Sequence, residues 1–400
     1  MTSVKLLHPD GVNYLYTPSR APLVPRIRGP FQSRIAYAAA HVVLDPLRTT
    51  EPLTHPVIDW DATLAYRDYL WSIGLAVAEA MDTAQRGLGL DWPLAHELIR
   101  RSTAAASATG AHIASGAGTD HLPPDISHSL EAVTAAYLHQ CEAVEAAGSR
   151  IILMASRALA AAARHPDDYA RVYAQVLMQV KEPVILHWLG PMFDPALEGY
   201  WGSSSIPAAT ENCLAIIHAH KDKVDGIKIS LLDADLEISM RRRLPPGVRM
   251  YTGDDFNYDR LILGDDWGAP RLDSETSDPQ HAHSDALLGI FDAIAPAASL
   301  ALTALDAGDH TRYHKLLAPT VPLARHIFAA PTQHYKTGVV FLAFLNGFQS
   351  HFRMVRGLES ARSIAHLCEL FVLADRAGVL RDPDLATQRM TSFLLPAGLA

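Results

Sequence analysis

The sequence predicts an α/β chain folded as a (β/α)8 TIM barrel, with an N-terminal extension and a helical C-terminal region. Three observations carry this. Eight short apolar runs succeed one another between residues 34 and 291. Most of the gaps between them hold one segment with apolar residues at i, i+3 and i+4, the pattern of a helix with one buried face. The spacing is even. Alternating strands and helices build a parallel sheet, and a count of eight favours the closed barrel over a doubly wound open sheet.

Residues 1–33 are rich in Pro and Arg and show no period, as expected of an extension that packs on the surface. The apolar runs occupy 34–44, 74–80, 111–115, 150–155, 183–189, 224–230, 248–252 and 286–291. Helical periodicity covers 61–73, 94–109, 129–147, 167–180 and 208–221. His165-Pro166-Asp167-Asp168 reads as a helix start and Gly148 as a helix stop. Two connections, 190–207 and 254–284, are longer than a barrel needs. Both follow predicted strands, so both are expected at the C-terminal face, where barrel active sites lie. Beyond Asp309 the pattern is helical, over 313–330, 338–352 and 360–377. The expected division is therefore an extension (1–33), a barrel (34–309) and a helical region (310–400) packed on the barrel and offering surface for oligomerisation.

Composition narrows the function. A net charge of -9 over 400 residues leaves no basic stripe for nucleic acid. The one basic run, Arg241-Arg242-Arg243, reads as a solvated helix end before Pro245-Pro246. Cys141, Cys213 and Cys368 are too far apart in sequence to suggest a disulfide framework or a zinc knuckle. The N-terminus has no apolar signal core. Of the two most apolar stretches, 338–348 is too short to span a bilayer and 287–305 carries Asp292 and Pro296. A cytoplasmic protein acting on a small molecule, with no membrane partner, is the expectation.

The chemistry centres on Val224-Asp225-Gly226-Ile227-Lys228-Ile229-Ser230. A strand sends Ile227 and Ile229 to one face and Lys228 to the other. In a barrel that other face is the interior, where burial disfavours the ammonium. A neutral lysine is a nucleophile that forms a Schiff base with a carbonyl. The bland alternative is a buried ion pair, with Glu79 as a partner.

Other polar residues stand at predicted strand ends. Glu79 and Asp82 are acid/base candidates and Thr83 a donor to substrate, while Asp82 or Thr83 also reads as a helix cap. His187 is a general base, a metal ligand or a hydrogen-bonded structural residue. His41, Ser115 and Ser230 are further strand-end candidates. Gly253-Asp254-Asp255 suits either Mg²⁺ or turn chemistry, and Gly264-Asp265-Asp266 suits a turn. Tyr335-Lys336 and Gln349-Ser350-His351 read as packing or interface residues on the C-terminal helices.

With these residues laid out, the chain resembles the dihydrodipicolinate synthase/N-acetylneuraminate lyase superfamily of class I aldolase-type barrels over about residues 34–310, and within it an uncharacterised branch, a domain of unknown function. Val-Asp-Gly-Ile-Lys228-Ile-Ser resembles the superfamily's Schiff-base lysine strand. Met81-Asp82-Thr83-Ala84-Gln85 stands at its carboxylate-binding turn, preceded by Ile58-Asp59-Trp60 and 69–74. Residues 183–190 stand at its Tyr-Asn-Val-Pro strand end, and Tyr251-Thr252-Gly253-Asp254-Asp255 resembles its Ser-Gly-Asp-Asp. The departures are specific. His187 replaces the proton-shuttling tyrosine, Asp82 replaces the first threonine of the turn, and Ala155-Ser156-Arg157 replaces Pro-Tyr-Tyr.

The resemblance implies a Schiff-base lyase or aldolase acting on a small keto acid or keto sugar, but not dihydrodipicolinate synthesis itself. Lys228 and His187 would be catalytic. Thr83, Asp82, Glu79, Ser115, Arg157, Ser230 and Asp254 would contact substrate, with Arg157 standing in for a lost carboxylate contact. No cofactor is expected beyond the lysine imine, and a homodimer or homotetramer is. A second reading keeps the barrel and gives Glu79, His187, Asp254 or Asp255 and His283 a divalent metal, as in metal-dependent sugar isomerases and aldolases. A third is a non-catalytic barrel that binds a small molecule.

Overall fold

The computed structural model describes residues 2–51, 53–124, 126–264 and 279–399. Asp265, Asp266 and Pro270, within the second long connection, lie outside the described residues.

The chain opens with an antiparallel hairpin, β1 (Val4–Leu7) and β2 (Asn13–Tyr16). Barrel strands follow in chain order: β3 (Ala36–Ala39), β4 (Ala76–Glu79), β5 (Ile113–Ala117), β6 (Arg150–Leu153), β7 (Val184–Leu189), β8 (Val224–Ser230), β9 (Arg249–Thr252) and β10 (Asp285–Leu288). All pair in parallel, and β10 bonds to both β9 and β3, which closes the barrel. Each of the eight apolar runs coincides with one of these strands.

Local chemistry explains where the helices begin and end. Asp59, Asp91 and Ser129 accept hydrogen bonds from the backbone N–H groups of Ala62, Leu94 and Ala132, so each caps its helix. Asp168 reaches back to the N–H groups of Arg164 and His165 and starts the Pro166–Leu177 helix. Gly148, at φ +87°, ends the Leu130–Ala147 helix in the left-handed region that glycine adopts without strain.

Side chains alternate across the barrel wall. Tyr37, Ala39, Ala76, Ala78, Ala114, Ile152, Ile185, Tyr251 and Leu287 form an interior cluster. Their neighbours Ala38, Val77, Ile113, Ile151, Leu186, Ile227, Ile229, Met250 and Leu288 belong to the larger core between strands and helices. Several interior positions hold only alanine or glycine, which leaves room for a long side chain from an opposite strand.

The C-terminal helices are His310–Leu317, Val321–Ile327, Tyr335–Leu345, Ile364–Arg376 and Pro383–Leu394. The single helix expected over 313–330 is two, because Pro319 and Pro322 each remove a backbone donor. Asp375 ties the extension to this region: its carboxylate accepts from Tyr16 Oη at 2.8 Å and from the N–H groups of Ser19 and Arg20. Arg241, expected in solvent, is 1% exposed and donates to Leu261 O and Ser284 Oγ. Arg243 sits in an exposed pair with Glu211. Among the described residues no helix is long and apolar enough to cross a membrane.

Candidate active site

The site begins with Lys228. It is in register with His187 on β7 and Tyr251 on β9. Because Ile227 and Ile229 belong to the outer core, the lysine points inward, and it is 8% exposed. Gly253 makes the space: a Cβ there would come within 2.7 Å of Lys228 Cε and 2.3 Å of Ser230 Oγ. Among the described residues Lys228 has no ion-pair partner within 4.0 Å. Burial depresses its pKa, and the more distant charges of Asp255 and Asp82 oppose that shift.

Asp255 is the acid whose charge acts most on Lys228. It is 4% exposed, and its Oδ1 accepts the Ile290 N–H at 2.8 Å. Burial pushes its carboxyl up to about 7, against the pull of that hydrogen bond and of Lys228. Asp254, the residue expected to contact substrate, is turned into the backbone. Its carboxylate accepts from the N–H groups of Phe256 and Asn257 and from Asn257 Nδ2 at 2.8 Å. This is turn chemistry.

His187 lies inside the barrel, 1% exposed. Its Nε2 is 3.4 Å from Ser230 Oγ, and its Nδ1 has no partner among the described residues. Burial, with the Lys228 charge behind it, lowers its pKa well below the usual histidine value, so the ring is neutral.

The turn after β4 and the C-terminal helices close the mouth. Thr83 Oγ1 and Tyr335 Oη share a hydrogen bond of 2.8 Å. The Tyr335 ring is stacked on Phe328 at 4.2 Å between centroids and set edge-on to Phe193 of the 190–207 connection at 6.1 Å. Burial, then the charge of Asp82, raises the phenol well above its usual pKa, so Tyr335 stays protonated. Gly289 at the end of β10 admits this contact, since a Cβ there would sit 3.1 Å from the ring and 3.3 Å from Thr83 Oγ1. Next along the chain, Lys336 is 1% exposed, donates to Gln333 O at 3.0 Å and pairs with Asp82 Oδ2 at 3.4 Å.

Tyr335 and Lys336 were expected to be packing or interface residues, and the fold brings both to the barrel mouth. The available signal was their position: two polar residues heading the mostly apolar Tyr335–Leu345 helix, every residue of which is buried. Strand parity likewise pointed to Asp255, two residues beyond inward Gly253 and four beyond inward Tyr251.

Three expected substrate contacts lie elsewhere. Glu79 faces the helix layer, where both its oxygens take Arg67 at 2.9 Å, and both side chains are fully buried. It is therefore a structural ion pair, but with Arg67 instead of Lys228. Ser115 shares a hydrogen bond with Ser149 at 2.8 Å on the same outer face. Arg157 is bound to Asp194 at 2.5 Å with half its side chain in solvent. The metal set does not assemble either: Glu79 is outside the barrel, Asp254 is turned into the backbone, and no three His, Cys, Asp or Glu side chains converge among the described residues. His41, another strand-end candidate, pairs through Nδ1 with Asp292 Oδ2 at 2.8 Å, fully buried.

A family model described as "Protein of unknown function (DUF993)" matches residues 4–399. No curated protein shows significant similarity in sequence. Several solved structures share the fold. The chloride-inhibited dihydrodipicolinate synthase from Acinetobacter baumannii, complexed with pyruvate, is 15% identical, with a TM-score of 0.61, covering 87% of this chain and 100% of that one. YagE of the dihydrodipicolinic acid synthase family from E. coli K12, also in complex with pyruvate, is 12% identical, with a TM-score of 0.61 over 92% and 99% of the two chains. The dihydrodipicolinate synthase from Aquifex aeolicus is 12% identical, with a TM-score of 0.58 over 92% and 98%.

Proposed function

The chain belongs to the DUF993 family, and we propose that it is a Schiff-base-forming lyase or aldolase that acts on a small carbonyl compound through Lys228. One observation carries the reading. A lysine inside a closed barrel, without an ion-pair partner within 4.0 Å among the described residues, is held toward the neutral, nucleophilic form by burial. The likeness to dihydrodipicolinate synthase-family barrels supports it at the level of fold.

The reaction follows from the groups at hand. The Nζ lone pair adds to the carbonyl carbon. Both amine protons leave with the carbonyl oxygen as water, and one further proton converts the C=N bond to an iminium. Tyr335, held protonated, passes its proton to the departing oxygen and regains one from the amine, with Thr83 orienting its hydroxyl, and the buried Asp255 carboxyl supplies the proton of the iminium. The iminium then draws the electron pair of an adjacent C–H or C–C bond toward nitrogen. Neutral His187 can accept the proton that is released.

The test is borohydride reduction in the presence of small ketones and aldehydes, followed by peptide mass mapping. A reduced adduct on Lys228, absent in Lys228→Ala, is expected. No adduct with any carbonyl, or an adduct that persists in Lys228→Ala, would overturn the proposal.

A further inference from the structure

We infer that the site takes an α-hydroxy carbonyl compound, with a hydroxyl group on the carbon next to the carbonyl, instead of a 2-keto acid, with a carboxylate on the carbonyl carbon itself. This rests on the Lys228 imine reading and names its substrate class. Charge around the reacting atom sets this preference. Lys228 and Asp255 are both buried and act on each other through charge, and they sum to zero as ammonium with carboxylate or as amine with carboxylic acid. Lys336 is buried and already matched by Asp82. Arg157, the cation expected to receive a carboxylate, is matched by Asp194 and lies half in solvent. His187 is neutral.

An α-carboxylate entering this space would face the carboxylate of Asp82, and among the residues named here no unmatched cation receives it. Burying an unpaired charge costs several kcal/mol. A hydroxyl meets the opposite situation. It can donate to Asp82 and accept from Lys336, whose ammonium uses one donor on Gln333 O and reaches Asp82 at the long separation of 3.4 Å. The pair is therefore suited to bridging a neutral donor–acceptor group.

The experiment compares the rate at which borohydride traps dihydroxyacetone and pyruvate on Lys228, in the wild-type chain and in two variants. Dihydroxyacetone should be trapped faster by about tenfold or more in the wild type, since each 1.4 kcal/mol of mismatch is a factor of ten. Asp82→Asn leaves the Lys336 ammonium unmatched and should shift the ratio toward pyruvate. Lys336→Met leaves Asp82 unmatched and should shift it further toward dihydroxyacetone. Pyruvate trapped as fast as dihydroxyacetone by the wild type, or a ratio unmoved in both variants, overturns the substrate class while the imine stands. No adduct on Lys228 with either compound overturns the substrate class, and none with any small ketone or aldehyde overturns the imine reading as well.

Discussion

Thr83 and Tyr335, separated by 252 positions in sequence, share a buried hydrogen bond of 2.8 Å across the barrel mouth. It joins the turn after β4 to the first residue of a C-terminal helix. The helical region thus supplies part of the site as well as covering it.

If Tyr335 is the proton donor, Tyr335→Phe should keep its stack on Phe328 and its fold. Imine formation at Lys228 should slow by about a hundredfold, within the range for one general acid, while the mass of the final adduct is unchanged. Quenched-flow borohydride trapping measures this; a rate within about twofold of wild type would remove Tyr335 from the chemistry.

Gly253→Ala places a methyl 2.7 Å from Lys228 Cε and 2.3 Å from Ser230 Oγ. Overpacking of this kind costs about 1–3 kcal/mol and displaces the lysine. Trapping should fall more steeply than melting temperature. Calorimetry alongside the trapping assay separates the two effects, and unimpaired trapping would mean that Lys228 does not occupy this position when it reacts.

Arg67→Met strands the Glu79 carboxylate in a fully buried place and should destabilise the fold by about 3–5 kcal/mol. The double variant Arg67→Met/Glu79→Leu should recover most of that loss and still form the Lys228 adduct. Denaturant titration reads the first effect and mass mapping the second. A double variant that folds but cannot form the adduct would return Glu79 to the site.

Glu237 provides a pH signature away from the site. Its carboxyl is 1% exposed, accepts from Ser284 Oγ and Thr252 Oγ1, and is raised by burial to about 8. A carboxyl whose folded pKa exceeds its unfolded value stabilises fully below the unfolded value, near 4.5, and loses that contribution as pH rises through the folded one. Stability should therefore fall between about pH 5 and 9, by an amount on the order of a few kcal/mol from this group. Glu237→Gln, which mimics the protonated form, should flatten that part of the profile. Melting temperatures of both proteins across the range provide the check, and parallel profiles would contradict it.

The sequence by itself determined the barrel. Strand alternation and helix periodicity are local, so the eight runs, the helix start at His165-Pro166-Asp167-Asp168 and the stop at Gly148 were legible without tertiary information. The same parity turned Lys228 inward once a barrel was assumed. Only the tertiary structure decided the rest, because a side chain's partner is a long-range fact. Glu79 and Lys228 both stand on strands, yet Glu79 faces the helix layer and finds Arg67, twelve positions earlier in the chain. Asp82 reads as a cap or a substrate contact until Lys336 arrives from more than 250 positions away to neutralise it. Tyr335 reads as packing until the chain's return over the barrel sets its hydroxyl against Thr83. Burial and charge pairing depend on what the fold brings into contact, and they, more than residue type, set which of these groups can react.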